Sequence, residues 1–206
     1  MLDLKLEKEL INEGYNLVAG IDEAGRGPLA GPVVAACVVF DKSFVVPKKL
    51  ETVKDSKKLT PKKREELFNV LQEHCLEIGI GICDNNTIDR INILQAAFLA
   101  MKKAVGVLKN KPDFLLIDGG FKLPNSTFNQ KNIVKGDNLV FSIAAASIIA
   151  KVTRDHIMEE YDKKYPQYEF IKHKGYGTKV HIENIKKYGP CPIHRMSFNP
   201  VSFYKN

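Results

Sequence analysis

No Cys-x-x-Cys pair occurs in this chain. Its four cysteines, Cys37, Cys75, Cys83 and Cys191, stand apart in sequence, so free thiols are their expected state and a disulfide is not. Cys191 and His194 have half the spacing of a zinc site, but no second ligand pair lies near, and a structural zinc is not expected. No stretch approaches the roughly 18 apolar residues of a membrane span. The first residues, Met1 to Asn16, are charged and amphipathic and do not read as a signal peptide. A cytoplasmic protein is expected, in which the sequons at Asn85 and Asn125 carry no meaning. There is no Gly-x-Ser-x-Gly elbow and no Cys/His pair in a catalytic context. Glycines 25, 27 and 31 are interrupted by Pro28 and followed by an apolar, β-branched run, and no Gly-Lys-Ser/Thr follows; the dinucleotide fingerprint and the P-loop both fail. Internal repeats, low-complexity tracts and long linkers are also missing, which leaves one α/β domain over 1–206, with a helical and loop extension over about 166–206.

What is present is enough apolar residue for a core, 44% of 206, and an excess of base: 31 Lys plus Arg against 24 acids, a net charge of +7. A polyanion is the natural partner. The most informative segment is Leu17-Val18-Ala19-Gly20-Ile21-Asp22-Glu23-Ala24-Gly25-Arg26-Gly27-Pro28. An apolar run that reads as a buried strand ends on two adjacent carboxylates, whose burial costs several kcal/mol by the usual estimates unless compensated. A divalent cation compensates. The glycines around Arg26 let the main chain turn and approach a ligand closely. Together they point to a metal-dependent site for a phosphate-bearing substrate.

Helix and strand patterns alternate along the chain. Leu2 to Glu13 reads as an amphipathic helix; Leu17 to Glu23 and Pro32 to Asp41 read as strands close enough to pair antiparallel. After a basic loop over Lys42 to Ser56, Thr60 and Pro61 start a helix that runs to about His74. Leu76 to Cys83 is a third strand. Asn86 or Thr87 is expected to cap one long helix to about Leu108, with Ile91, Leu94, Ala97, Phe98, Met101 and Val105 on its packed face. Phe114 to Ile117 is a short strand ending on Asp118-Gly119-Gly120, and Gln130 to Val134 another. Asp137 is expected to cap a helix over Leu139 to Tyr165, which Pro166 stops; a glycine-rich loop follows, and Thr178 caps a last helix to about Tyr188. Such an order favours a mixed sheet covered on its faces.

Asp118 repeats the logic of Asp22, a carboxylate delivered to the end of an apolar strand, where α/β sheets gather ligands. Ser147, Lys151 and Asp155 fall at i, i+4 and i+8 on one helix stripe. Asp137 is the rival to Asp155 as a further acid, but its place between Gly136 and Asn138 suits a cap. Lys57, Lys58, Lys62, Lys63 and Arg64 form a basic strip, and Lys172, Lys174 and Lys179 surround Tyr176, which between glycines has freedom to stack.

These residues resemble the bacterial ribonuclease HII family, the type 2 ribonucleases H. The resemblance rests on Gly20 to Pro28, Asp55-Ser56-Lys57-Lys58-Leu59, Ile117-Asp118-Gly119, Ala145 to Asp155, Lys174-Gly175-Tyr176-Gly177-Thr178 and His194-Arg195-Met196-Ser197-Phe198. It implies a ribonuclease H-like α/β fold and a monomeric endonuclease that cuts the RNA strand of RNA–DNA hybrids and duplex DNA at embedded ribonucleotides. The products would be 3′-hydroxyl and 5′-phosphate ends, and the role the removal of ribonucleotides from DNA. By motif match Asp22, Glu23, Asp118 and Asp155 would hold the divalent metals. Gly25, Arg26 and Gly27 would contact the ribose 2′-hydroxyl and the adjoining phosphate, and Tyr176 would sense the RNA-to-DNA junction. Lys57, Ser147 and Lys151 complete the expected substrate-binding set. Type HIII enzymes carry Glu as the fourth acid and a longer N-terminal domain, so Asp155 and the short lead-in favour HII.

Carboxylate ligands select Mg²⁺ or Mn²⁺, and two such ions about 4 Å apart can activate water and steady the departing oxygen without a protein nucleophile. RNA is distinguished from DNA by its 2′-hydroxyl. Two other readings remain at this point: a non-catalytic nucleic-acid-binding module, and another ribonuclease H-like nuclease that cuts DNA lacking ribose.

Overall fold

Strands β1 (Val18–Ala24) and β2 (Val33–Val39) pair antiparallel, with Asp22 opposite Ala36. They are the centre of a five-stranded sheet in a computed structural model that describes residues 2–54, 56 and 59–204. β3 (Glu77–Cys83) adds antiparallel to β2, and β4 (Phe114–Asp118) and β5 (Asn129–Ile133) add parallel on the other side of β1, giving the order β3-β2-β1-β4-β5. Parallel neighbours need a crossover, and the chain returns from β1 to β4 through β2, β3 and two helices.

Side chains alternate across the sheet. Ala19 and Ile21 of β1 join the core beneath α4 (Ile93–Gly106) with Leu115 and Ile117 of β4. Val18 and Leu116 face the other layer, where α1 (Lys5–Asn12), α2 (Pro61–His74) and α5 (Phe141–Lys164) lie. Asp22 and Asp118 have the parity of this second face. α5 is the dominant element there, 24 residues and about 36 Å long. Its first turns are buried on all sides, from Phe141 to Ala150. It lies so close to β1 that a Cβ on Gly20 would stand 2.2 Å from the carbonyl carbon of Ser142.

Where α5 begins differs from expectation. Gly136–Asn138 form a 3₁₀ turn, the helix starts at Phe141, and neither Asp137 nor the N-cap residue Val140 gives a side-chain cap. The cap comes from far away in sequence: Glu7 of α1, 4% exposed, accepts the Ser142 N–H at 2.8 Å. A carboxylate suits the positive end of a helix. Burial raises the Glu7 pKa, with the Ser142 hydrogen bonds opposing it.

The long helix expected up to Leu108 is two. Asp84, rather than Asn86 or Thr87, caps α3 (Asn85–Ile91) by accepting the Thr87 N–H at 2.8 Å. Asn92 then takes φ 65° and its Oδ1 accepts the N–H groups of Leu94 and Gln95, starting α4 afresh. Asparagine tolerates that backbone and caps well. Thr60 caps α2 as expected.

Beyond α5, a 3₁₀ turn (Pro166–Tyr168), α6 (Phe170–His173) and α7 (Lys179–Tyr188) pack with Leu29, Ala30 and Met158 in a core of their own. Thr178 caps α7, as its sequence implies. Segment 191–198 is clamped from both sides. Asp89 accepts the N–H groups of Met196 and Ser197, Asn85 donates to the carbonyls of Pro192 and His194, and Arg195 N–H reaches the Leu29 carbonyl. Three buried histidines fill the middle. Cys191 N–H donates to His194 Nδ1 at 2.9 Å, which assigns the His194 proton to Nε2 and aims it at His181 Nε2, 3.0 Å away. His181 then donates through Nδ1 to the Tyr176 carbonyl at 2.9 Å. Both rings are neutral in this relay, and desolvation lowers both pKa values to about 4. Among the described residues no helix is long and apolar enough to cross a membrane.

Two outcomes follow from this packing. Gly20→Ala should lose about 1–3 kcal/mol of stability in urea unfolding, since the methyl must push the α5 backbone off the sheet; an unchanged midpoint would refute the close approach. For His181 and His194 the folded pKa lies below the unfolded value of 6.5, so their contribution is complete above pH 6.5 and is lost as pH falls toward 4. Urea unfolding between those limits should show a loss on the order of 5 kcal/mol for the pair, and a pH-independent midpoint would contradict the neutral relay.

Candidate active site

β1 and β4 run parallel with Ile21 beside Ile117, so the next residues, Asp22 and Asp118, emerge side by side at the carboxyl ends of these two neighbouring strands. A cleft of about 320 Å³ opens there. Its walls are Asp22, Glu23 and Asp118, the loop Ala24 to Gly27, Ser56, Ser147 and Lys151 from the α5 side, and Tyr176. Every sequence-derived site residue in the described set lines it except Asp155. Lys57 lies outside the described residues, as do Asp55 and Lys58, although their neighbour Ser56 is in the wall.

The carboxylates sit in unequal surroundings. Asp22 is 6% exposed, and its pKa is raised well above the usual value by burial first, then by the charges of Glu23 and Asp118. A hydrogen bond from Ser147 and the Glu23 N–H, 2.7 Å from Asp22 Oδ1, work in the opposite direction. Ser147 Oγ is also 2.9 Å from Ser56 Oγ, so one helical hydroxyl links the acid to the loop before α2. Asp118 Oδ1 accepts the Gly136 N–H at 2.7 Å. Glu23 pairs with Arg26, whose Nη1 is 3.2 Å from Oε1.

Asp155 stands one turn further along α5 in a neighbouring cavity of about 340 Å³. Lys151 Nζ donates to its Oδ1 at 2.5 Å, and Arg64 Nη2 is 3.9 Å from its other oxygen. The structure therefore gathers three of the four expected acids and sets the fourth behind Lys151. Its sequence rival behaves differently from expectation as well. Asp137 caps no helix, is 5% exposed, and directly follows the glycine whose N–H holds Asp118. A cap motif and a buried acid at a turn look alike in sequence, and only the position of the helix start separates them. Arg64, expected in the phosphate-facing strip, donates to the carbonyls of Ser56 and Leu59 and so fixes the loop.

The glycine loop and the tyrosine loop touch. A Cβ on Gly27 would lie 3.7 Å from Tyr176 Cε1, and Tyr176 is 44% exposed. Leu29 N–H donates to the Gly175 carbonyl at 2.8 Å. Two buried arginines that sequence reasoning passed over, Arg154 and Arg195, lie directly behind. Gly25, at φ 98°, must be glycine partly because of them: a Cβ there would stand 2.3 Å from Arg154 Nε.

An oxygen-rich cleft of this kind fits a hard divalent cation, because three carboxylates near one another need positive charge and a hydroxyl adds a compatible donor. Among the described residues no three His, Cys, Asp or Glu side chains already form a finished ligand set.

Comparison with known proteins places this arrangement. The family model for Ribonuclease HII matches residues 19–201. A ribonuclease HII of Caldicellulosiruptor bescii is 55% identical over 94% of this chain and 92% of its own length. The ribonuclease H2 from Pyrococcus horikoshii OT3 superposes with a TM-score of 0.75 at 30% identity, covering 91% of this chain and 96% of that one. Bst-RNase HIII, solved in complex with Mn²⁺, shares the fold at 21% identity and a TM-score of 0.70, over 90% of this chain and 68% of its own. With the family model, the sequence identity and the fold all in agreement, the chain belongs to the ribonuclease HII family and is an endoribonuclease of the ribonuclease H class.

Proposed function

We propose that the cleft between β1 and β4 cuts the RNA strand of RNA–DNA hybrids, and duplex DNA at embedded ribonucleotides, leaving 3′-hydroxyl and 5′-phosphate ends with the help of Mg²⁺ or Mn²⁺. The observation that carries this reading is the meeting of Asp22, Glu23 and Asp118 at one cleft opposite the loop Gly25-Arg26-Gly27. Asp22, Glu23 and Asp118 would hold the cation. When bound, it supplies positive charge among the carboxylates, lowers the pKa of the attacking water and steadies the departing oxygen.

The remaining work falls to the chain itself. Amides of Gly25, Arg26 and Gly27 come close enough to read the ribose 2′-hydroxyl, the group that separates RNA from DNA. Arg26, half-exposed at the cleft wall, and Lys151 would supply phosphate contacts, and Lys57, next to Ser56 in sequence, keeps the substrate-binding role that the family resemblance implies. Ser147 keeps Asp22 oriented. Tyr176 offers an exposed ring for stacking at the step from RNA to DNA. The same reading has the protein act as a monomer in the cytoplasm, in the removal of ribonucleotides from DNA.

For the fourth acid the geometry favours Asp137 over Asp155. Asp155 is engaged by Lys151, which makes it a positioning group for that lysine, whereas Asp137 is held next to the Asp118 support with no helix to cap.

Asp118→Asn should reduce cleavage of a duplex bearing one ribonucleotide by about 10³-fold or more, with circular dichroism and hybrid binding retained; undiminished turnover sinks the metal reading. Measured alongside, Asp137→Asn should fall by about 10²-fold or more and Asp155→Asn by about tenfold. The reverse order would return the fourth place to Asp155. Tyr176→Ala should cost about 1–3 kcal/mol in kcat/KM at a lone ribonucleotide and leave thermal stability nearly unchanged, and equal activity on that substrate removes the junction role.

A further inference from the structure

Arg154 and Arg195 are 1% and 0% exposed, and all the hydrogen bonds found for them end on main-chain carbonyls. Guanidinium groups buried this deeply are normally matched by a carboxylate; among the described residues neither has one within ion-pair distance. Burial lowers their pKa values, to about 10 for Arg154 and about 9 for Arg195, which leaves both charged at neutral pH. Two desolvated cations have been kept to hold carbonyls, and the choice of carbonyls is informative. Arg195 donates to Gly25 O at 2.5 Å, Arg26 O at 3.0 Å, Gly31 O at 3.0 Å and Pro32 O at 3.2 Å. Arg154 donates to Ala30 O, Pro32 O and, across the gap, Lys174 O.

In a trans peptide the N–H points opposite to the C=O, and the bonds after Gly25 and Arg26 are trans. Pulling the carbonyls of Gly25 and Arg26 back toward Arg195, which lies behind the loop and outside the cleft wall, turns the N–H groups of Arg26 and Gly27 forward into the cleft. The guanidinium fork spans two successive carbonyls, which a lysine ammonium cannot match in geometry. Its charge also polarises both peptides, making their N–H groups stronger donors.

We propose that Arg195, backed by Arg154, is the positioning residue for ribose recognition: it fixes and polarises the Arg26 and Gly27 amides that meet the 2′-hydroxyl. This rests on the reading of the glycine loop given above. Arg154 carries the setting to the second loop through Lys174 O, so the tyrosine and the amides share one anchor.

The test compares binding, in EDTA so that no cleavage occurs, of a DNA duplex containing one ribonucleotide with that of the same duplex in all-DNA form. The wild-type protein should favour the ribonucleotide, and Arg195→Lys, which keeps the charge and loses the fork, should shrink that ratio about tenfold while affinity for all-DNA duplex stays within about twofold. A variant that keeps the wild-type ratio overturns the proposal even if its thermal midpoint falls, since a merely structural arginine would behave that way. A wild-type protein without preference would instead overturn the glycine-loop reading and the proposal with it. Should Arg195→Lys fail to fold, ¹⁵N spectra of the wild type decide: the Arg26 and Gly27 amides should shift with the ribonucleotide duplex and not with all-DNA duplex. Identical shifts with both sink the idea.

Discussion

Contact between the α5 backbone and β1 at Gly20 governs the rest of this molecule. Because no side chain separates helix from strand there, Ser147 arrives at hydrogen-bonding distance from Asp22 two residues further along β1, and Lys151 one turn later closes the cleft. The same first turn of the helix is held by Glu7, whose carboxylate serves as a cap supplied from α1. A shift of α5 by even one methyl group's width would therefore be felt by the acid, by the hydroxyl pair Ser147–Ser56 and by the lysine together. Interiors packed this tightly transmit such displacements.

Charge is arranged around the cleft in layers. Carboxylates line the floor at the ends of β1 and β4, while guanidinium groups stand behind the loops that form one wall. The electrostatic cost of each layer is separately compensated. Main-chain dipoles and Ser147 support the carboxylates, and a fan of carbonyls supports the arginines. A net charge of +7 adds a long-range field that attracts polyanions to the protein as a whole.

Much of this was legible in the sequence because it was local. The helix from Pro61 to His74 was bounded by its own cap and proline, and the pairing of β1 with β2 by a short connection. Asp22 and Asp118 could be read as ligands because each ended an apolar strand. What escaped reading was long-range. Glu7 looked like one more charge on an amphipathic helix, yet it caps a helix 135 residues away. Arg154 and Arg195 looked like ordinary polar residues, since nothing in their neighbours forecasts burial among carbonyls. Asp84 and Asn92 split one periodic pattern into two helices, because periodicity survives a cap that hydrophobic spacing does not register. The relation of Asp137 and Asp155 to the cleft turned on where α5 starts, a property of packing against α1 rather than of the residues themselves.

The hydrogen bond from Leu29 N–H to the Gly175 carbonyl, together with the reach of Arg154 to Lys174, ties two loops that are about 150 residues apart in the chain into one rigid body. Neither can swing as a lid while the other stays. On the proposed function the protein would carry a built-in caliper: the jaw that would feel a sugar and the jaw that would stack at the following step are tied to each other by these bonds, so the bond to be broken would be selected by length along the strand, whatever the bases happen to be.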